Sequence, residues 1–137
     1  MDVRPYLFFD GRCDEAIAFY RDSVGAEVQM LMRFKDHPEP QGQAAIPPGG
    51  GEKVMHAELR IGETVIFVSD GRCLGQPSFQ GFGLALTARD DAEAAKLFAA
   101  LGKDGKVTMP LAKTFFSSSF GMLADRFGIT WMVLVRA

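Results

Sequence analysis

The chain repeats its own opening. Residues 6–25 (YLFFDGRCDEAIAFYRDSVG) and 83–102 (GLALTARDDAEAAKLFAALG) align without a gap, setting Leu7 on Leu84, Arg12 on Arg89, Asp14 on Asp91, Ala18 on Ala95 and Gly25 on Gly102. Each copy reads as an apolar strand, a charged turn, an alanine-rich amphipathic helix and a closing glycine. A later echo sets residues 56–67 on 122–133, again without a gap. A doubled unit constrains the fold more than any single motif does. Whatever the first half builds, the second builds again.

The first half gives the pattern. Residues 3–10 are short, apolar and aromatic, which predicts a strand ending at Asp10-Gly11. From Asp14 the period changes, and Ala16, Ile17, Phe19, Tyr20 and Val24 form one face of a helix with Gly25 as its C-cap. Val28, Met30, Met32 and Phe34 then alternate with polar or outward positions, predicting a second strand. Residues 35–53 are rich in proline and glycine and read as a loop, either a binding loop or an excursion without a role. His37 lies there and is given no function. Residues 54–60 and 63–69 form a hairpin around Ile61-Gly62. The second half repeats the order, with a strand at 81–88, a helix at 91–101, a weak strand near 105–109 and strands at 119–125 and 129–135. The expected architecture is α+β: tandem βαβββ repeats, roughly 1–70 and 80–137, forming a single domain of curved mixed sheets around a concave cavity. One such unit alone leaves a face of its sheet uncovered.

Composition narrows the class. With 47% hydrophobic and 23% charged residues and a net charge of −2, the chain has neither the basic footprint of a nucleic-acid binder nor that of a protein drawn to anionic membranes. Its apolar runs are strand-sized and its first residues do not form a secretory signal, so the expected location is the cytoplasm. Cys13 and Cys73 each close an Asp-Gly-Arg-Cys tetrapeptide, but their spacing matches neither repeat and they read as turn residues, not as a redox pair.

Four stretches carry a family resemblance. The opening PYLFFDG, the following EAIAFY, the strand VMHAEL and the late DRFGITW, in that order, resemble the PhnB-like branch of the vicinal oxygen chelate superfamily (glyoxalase, bleomycin-resistance and extradiol dioxygenase proteins). Members of that branch are often labelled 3-demethylubiquinone-9 3-methyltransferase. No glycine-rich turn after a strand offers a place for a methyl donor here. In metal-dependent relatives, four His, Glu or Gln side chains from the first and last strand of each half hold one divalent ion. Carried onto this chain, those windows are 4–6, 65–67, 82–83 and 131–133, with Gly83 and Met132 the best single matches. None contains a carboxylate, imidazole or amide, so no metal and no other cofactor is expected.

Strand parity suggests what takes the metal's place. Met55, Ala57 and Leu59 share one face of their strand, and His56, Glu58 and Arg60 share the other. In the fold the resemblance implies, that second face lines the cavity. Side chains two residues apart on a strand sit about 7 Å apart, so Glu58 can orient His56, the residue type suited to proton transfer near neutral pH. The pair is the candidate catalytic site, or else a hydrogen-bonded strand pair without chemistry. Tyr6, Phe8, Thr64, Thr130 and Met132 are assigned to the same wall, with Arg60, and Phe116 is placed at its rim as a further ligand contact. Trp131 has the opposite parity and is expected between sheet and helix. Ser117, Ser118 and Ser119 read equally well as turn residues, and Ser119 lacks the setting of a nucleophile.

Three functions fit. The first is a PhnB-like, metal-free homodimer that binds a small, partly aromatic or apolar molecule. The second is a lyase or isomerase working through His56 and Glu58, or through a metal at a relocated site. The third is a resistance protein that sequesters a drug. Arg4 and Arg60 on the inward face argue against the last, because cationic drugs favour acidic clefts.

Overall fold

The computed structural model describes residues 1–37, 50–71 and 77–136. Most of the 35–53 loop and all of Cys73 lie outside the described residues. The chain forms two compact units, Met1–Pro77 and Ser78–Ala137.

The first unit runs β1 (Tyr6–Phe8), α1 (Cys13–Val24), β2 (Glu27–Arg33), a short 3-10 turn (Phe34–Asp36), β3 (Val54–Ile61) and β4 (Thr64–Ser69). The second runs β5 (Gly83–Ala88), α2 (Asp91–Leu101), β6 (Lys106–Ala112), β7 (Ser117–Ala124) and β8 (Thr130–Arg136). Each unit is βαβββ and folds into one four-stranded mixed sheet, ordered β1-β4-β3-β2 in the first and β5-β8-β7-β6 in the second. In both, the first strand lies parallel to the last and the other pairs are antiparallel. The duplicated α+β architecture read from the sequence is the one observed.

In the first unit α1 packs over β3 and buries Cys13, Ala16, Ile17, Phe19 and Tyr20 against Leu7, Ala57, Leu59, Ile66 and Val68. Gly25 ends the helix in the left-handed conformation at φ 69°, where its N–H reaches the Tyr20 carbonyl. Gly102 occupies the matching position after α2 but is right-handed (φ −79°), and Asp104 takes the positive φ instead. The start of β3 departs from simple alternation. Val54, not Met55, is fully buried, because the pairing with β2 shifts register between Met32 and Arg33.

Asp70, at the end of β4, is buried and holds three parts of the first unit together. Its Oδ1 accepts the N–H groups of Gly11 (2.9 Å) and Cys13 (2.8 Å), and its Oδ2 accepts that of Val54 (2.7 Å). The local N-cap position, Arg12, makes no side-chain cap, so α1 is capped from across the fold. In the second unit α2 has a local cap: Asp90 accepts the Glu93 N–H while Glu93 accepts the Arg89 N–H. Trp131 is buried, as its parity suggested, and its indole N–H donates to Asp125, whose other oxygen accepts the Phe127 and Ile129 N–H groups.

The two hairpins differ, and the late echo therefore needs a gap. Ile61 pairs with Thr64 across Gly62-Glu63, so the turn sits one residue later than the Ile61-Gly62 read from sequence. The second hairpin pairs Ala124 with Thr130 around the Asp125-centred turn. Tyr6 faces Phe67 in the first sheet, and its repeat counterpart Gly83 faces Thr130 in the second. Phe67 thus corresponds to Thr130, not to Val133.

Candidate functional site

The strand order of the first sheet gathers side chains on the face away from α1. Tyr6 lies opposite Phe67, Phe67 opposite Glu58 and Glu58 opposite Met30, a row that crosses all four strands. His56 faces Met32 in the neighbouring row. On this surface the Tyr6 hydroxyl and His56 Nδ1 are 2.7 Å apart, and His56 Nε2 is 3.2 Å from Glu58 Oε2. A phenol, an imidazole and a carboxylate therefore form one hydrogen-bonded chain. The two strand neighbours, spaced apart at their Cβ atoms, close on each other at their tips.

Aromatic rings frame the chain. Tyr6 stacks on Phe8 with centroids 4.8 Å apart and planes 12° from parallel. Phe67 packs by its edge on Tyr6 at 5.7 Å and lies 5.1 Å from the His56 ring. Tyr6 is 39% and Phe8 50% exposed, so the stacked pair leaves apolar surface open next to the polar chain. Burial of part of its ring pushes the Tyr6 phenol above its ordinary pKa, so it keeps its proton and can donate it in a hydrogen bond.

The other expected site residues differ in their sheet and face. Arg60 shares this face but its guanidinium is paired with Glu27 of β2. Thr64 does not share it. Antiparallel pairing places Val65 and Phe67 on the open face, and Thr64, opposite Ile61, alternates to the helix side. Counting residues from the two-residue turn would have selected Phe67. Phe116, Thr130 and Met132 belong to the second unit. Thr130 and Met132 lie on the face of their sheet opposite buried Trp131 and Val133, and Phe116 packs edge-on against Phe115 and Phe120 at its own end of β7. Ser118 and Ser119 both donate to Asp91 at the start of α2 (2.6 and 2.8 Å), which holds that carboxyl below its usual range, while Ser117 bonds the backbone of Val135.

The two open faces have diverged. The repeat sets Gly83 on Tyr6, Ala85 on Phe8, Met122 on His56 and Ala124 on Glu58, so the second sheet carries none of the chain's polar groups. The superfamily metal positions fit a divalent cation no better in three dimensions. Tyr6 meets Phe67 there, while Gly83 meets Thr130 and the expected Met132 lies opposite Ala85, and none of these side chains is a carboxylate, imidazole or amide. Among the described residues no three His, Cys, Asp or Glu side chains gather to hold an ion, and no helix is long and apolar enough to cross a membrane.

Known proteins share this plan. The model of the Glyoxalase/Bleomycin resistance protein/Dioxygenase superfamily matches residues 3–133. The chain belongs to that superfamily. Within it, the chain is 35% identical over 140 residues to protein YjdN of Escherichia coli, covering 98% of this chain and 95% of that one. It is similar to the crystal structure of protein PA1353 from Pseudomonas aeruginosa, with 36% identity, a TM-score of 0.84 and coverage of 99% and 98%. A PhnB protein from Bacillus cereus, named for a 3-demethylubiquinone-9 3-methyltransferase, superimposes with a TM-score of 0.80 at 26% identity, covering 98% and 99%. The PhnB-like resemblance of the sequence is thus matched by a solved PhnB structure.

Proposed function

We propose that this superfamily member binds a small, partly aromatic or apolar molecule on the open face of its first sheet, with His56 and Glu58 as the polar centre of the site. The observation that carries the reading is the Tyr6–His56–Glu58 chain set among exposed Tyr6 and Phe8 rings. Pockets for small molecules combine apolar walls with a few placed polar groups. The test is a thermal-shift screen of a chemically diverse library, followed by titration of each hit against wild type and His56→Ala. The substitution should weaken binding by about 1–2 kcal/mol while the fold persists. Equal affinity of the two proteins for every hit would put the ligand elsewhere.

A second reading is proton-transfer catalysis, favoured by the same chain, because an imidazole held by a carboxylate and bonded to a hydroxyl is the usual arrangement of an acid–base site. On a true substrate His56→Ala would then lower turnover by roughly 10²–10⁴-fold, and unchanged turnover would remove His56 from the chemistry. We also propose a homodimer in the cytoplasm. Light scattering at micromolar concentration should give twice the chain mass of 15.0 kDa, and a monomer mass would withdraw the dimer.

A further inference from the structure

The direction of the hydrogen bonds in the chain specifies what a ligand must offer. Glu58, as a carboxylate, only accepts, so His56 Nε2 carries a proton toward it. In a neutral imidazole the other nitrogen is then a bare acceptor. The hydroxyl 2.7 Å from His56 Nδ1 must supply that bond with its single proton. With its proton turned inward, Tyr6 Oη has only lone pairs for further partners, and the neighbouring Ser69 hydroxyl of β4 already bears on one of them. Beside it Tyr6 and Phe8 stack face to face with an offset that leaves part of each ring exposed, and Phe67 packs against Tyr6 on one side.

Resting on the binding reading above, we infer that Tyr6 Oη is the specificity-determining acceptor of the site and that the ligand is a flat aromatic ring with an N–H or O–H donor at its edge. The ring stacks on the part of Phe8 that Tyr6 leaves uncovered, beside the Tyr6 ring, and its edge donor reaches the tyrosine oxygen. His56 and Glu58 act through Tyr6 as positioning residues: together they turn its proton inward. A ring whose only polar atom is an acceptor meets lone pairs facing lone pairs and is rejected.

The test uses ring pairs that differ only in the donor, indole against N-methylindole and naphthol against methoxynaphthalene, titrated by NMR at mildly alkaline pH. Wild type should prefer the donor-bearing member of each pair by about fivefold to tenfold, the worth of one hydrogen bond. Tyr6→Phe keeps the ring and removes the oxygen, so it should bring both members to the affinity of the methylated compound. Glu58→Gln offers His56 an N–H instead of a pure acceptor, freeing the tautomer, and should shrink the preference without a loss of fold by circular dichroism. Equal binding of paired compounds by wild type, or a preference that survives Tyr6→Phe, overturns the inference and leaves the binding face intact. If neither pair binds, the ligand class is wrong. The face itself then stands or falls on whether the library screen yields a His56-dependent hit. Affinity for indole that weakens as protein concentration rises would put a second copy of the chain on this face and overturn the inference as well.

Discussion

Replacing Asp70 with asparagine removes one acceptor from a buried junction and changes almost nothing else. The carboxylate takes three backbone N–H groups, from Gly11 and Cys13 on one oxygen and Val54 on the other. The amide of Asp70→Asn has a single oxygen. In the better of its two orientations it still serves Gly11 and Cys13, and its NH₂ then points at the Val54 N–H. A hydrogen bond to a charged group contributes about 1.5–3 kcal/mol, and the stranded Val54 donor is buried beside a residue with no exposed surface. The gain from no longer burying a charge offsets part of that loss, which leaves an expected destabilisation of about 2 kcal/mol. Asp70→Ala strands all three donors and should cost about 4 kcal/mol. Urea unfolding followed by circular dichroism reads this as a lower midpoint at unchanged slope. The exposed control Asp22→Asn should stay within about 0.5 kcal/mol of wild type. A loss for Asp70→Asn as small as the control's would show that the junction is held by packing and not by the carboxylate.

Further outcomes follow from the same structure. Burial and then the neighbouring Asp70 charge hold the Cys13 thiol far above its ordinary value of 9.0. The unfolded chain therefore releases this proton above pH 9 while the folded chain keeps it, and stability falls as pH rises, by up to about 1.4 kcal/mol per pH unit. Cys13→Ala should flatten that decline between pH 9 and 11 in urea titrations, and an identical slope would refute the linkage. A Cβ on Gly105 would stand 2.3 Å from the Ala124 carbonyl oxygen, a backbone atom paired into the sheet. Gly105→Ala should thus lose about 1–3 kcal/mol of stability, and a wild-type melting curve would contradict it.

Local signals were legible in the sequence and long-range ones were not. The helix at 91–101 carries its own start in Asp90 and Glu93, and its bounds could be read to the residue. Nothing near Arg12 announces α1's cap, because Asp70 supplies it from the far end of the unit. The face shared by His56 and Glu58 follows from alternation along one strand. The Tyr6 contact depends on β1 lying beside β4, a parallel pairing that repeat logic suggests but whose register only the fold fixes. Thr64 shows the same dependence. Its face depends on which two residues make the turn, and a slip of one moves a side chain through the sheet.

The divergence of the two open faces sets a stoichiometry. The doubled unit gives the chain two copies of the same sheet face, yet Gly83, Ala85, Met122 and Ala124 stand where the first sheet has Tyr6, Phe8, His56 and Glu58. On the binding reading the molecule therefore saturates at one ligand per chain along a single-site isotherm.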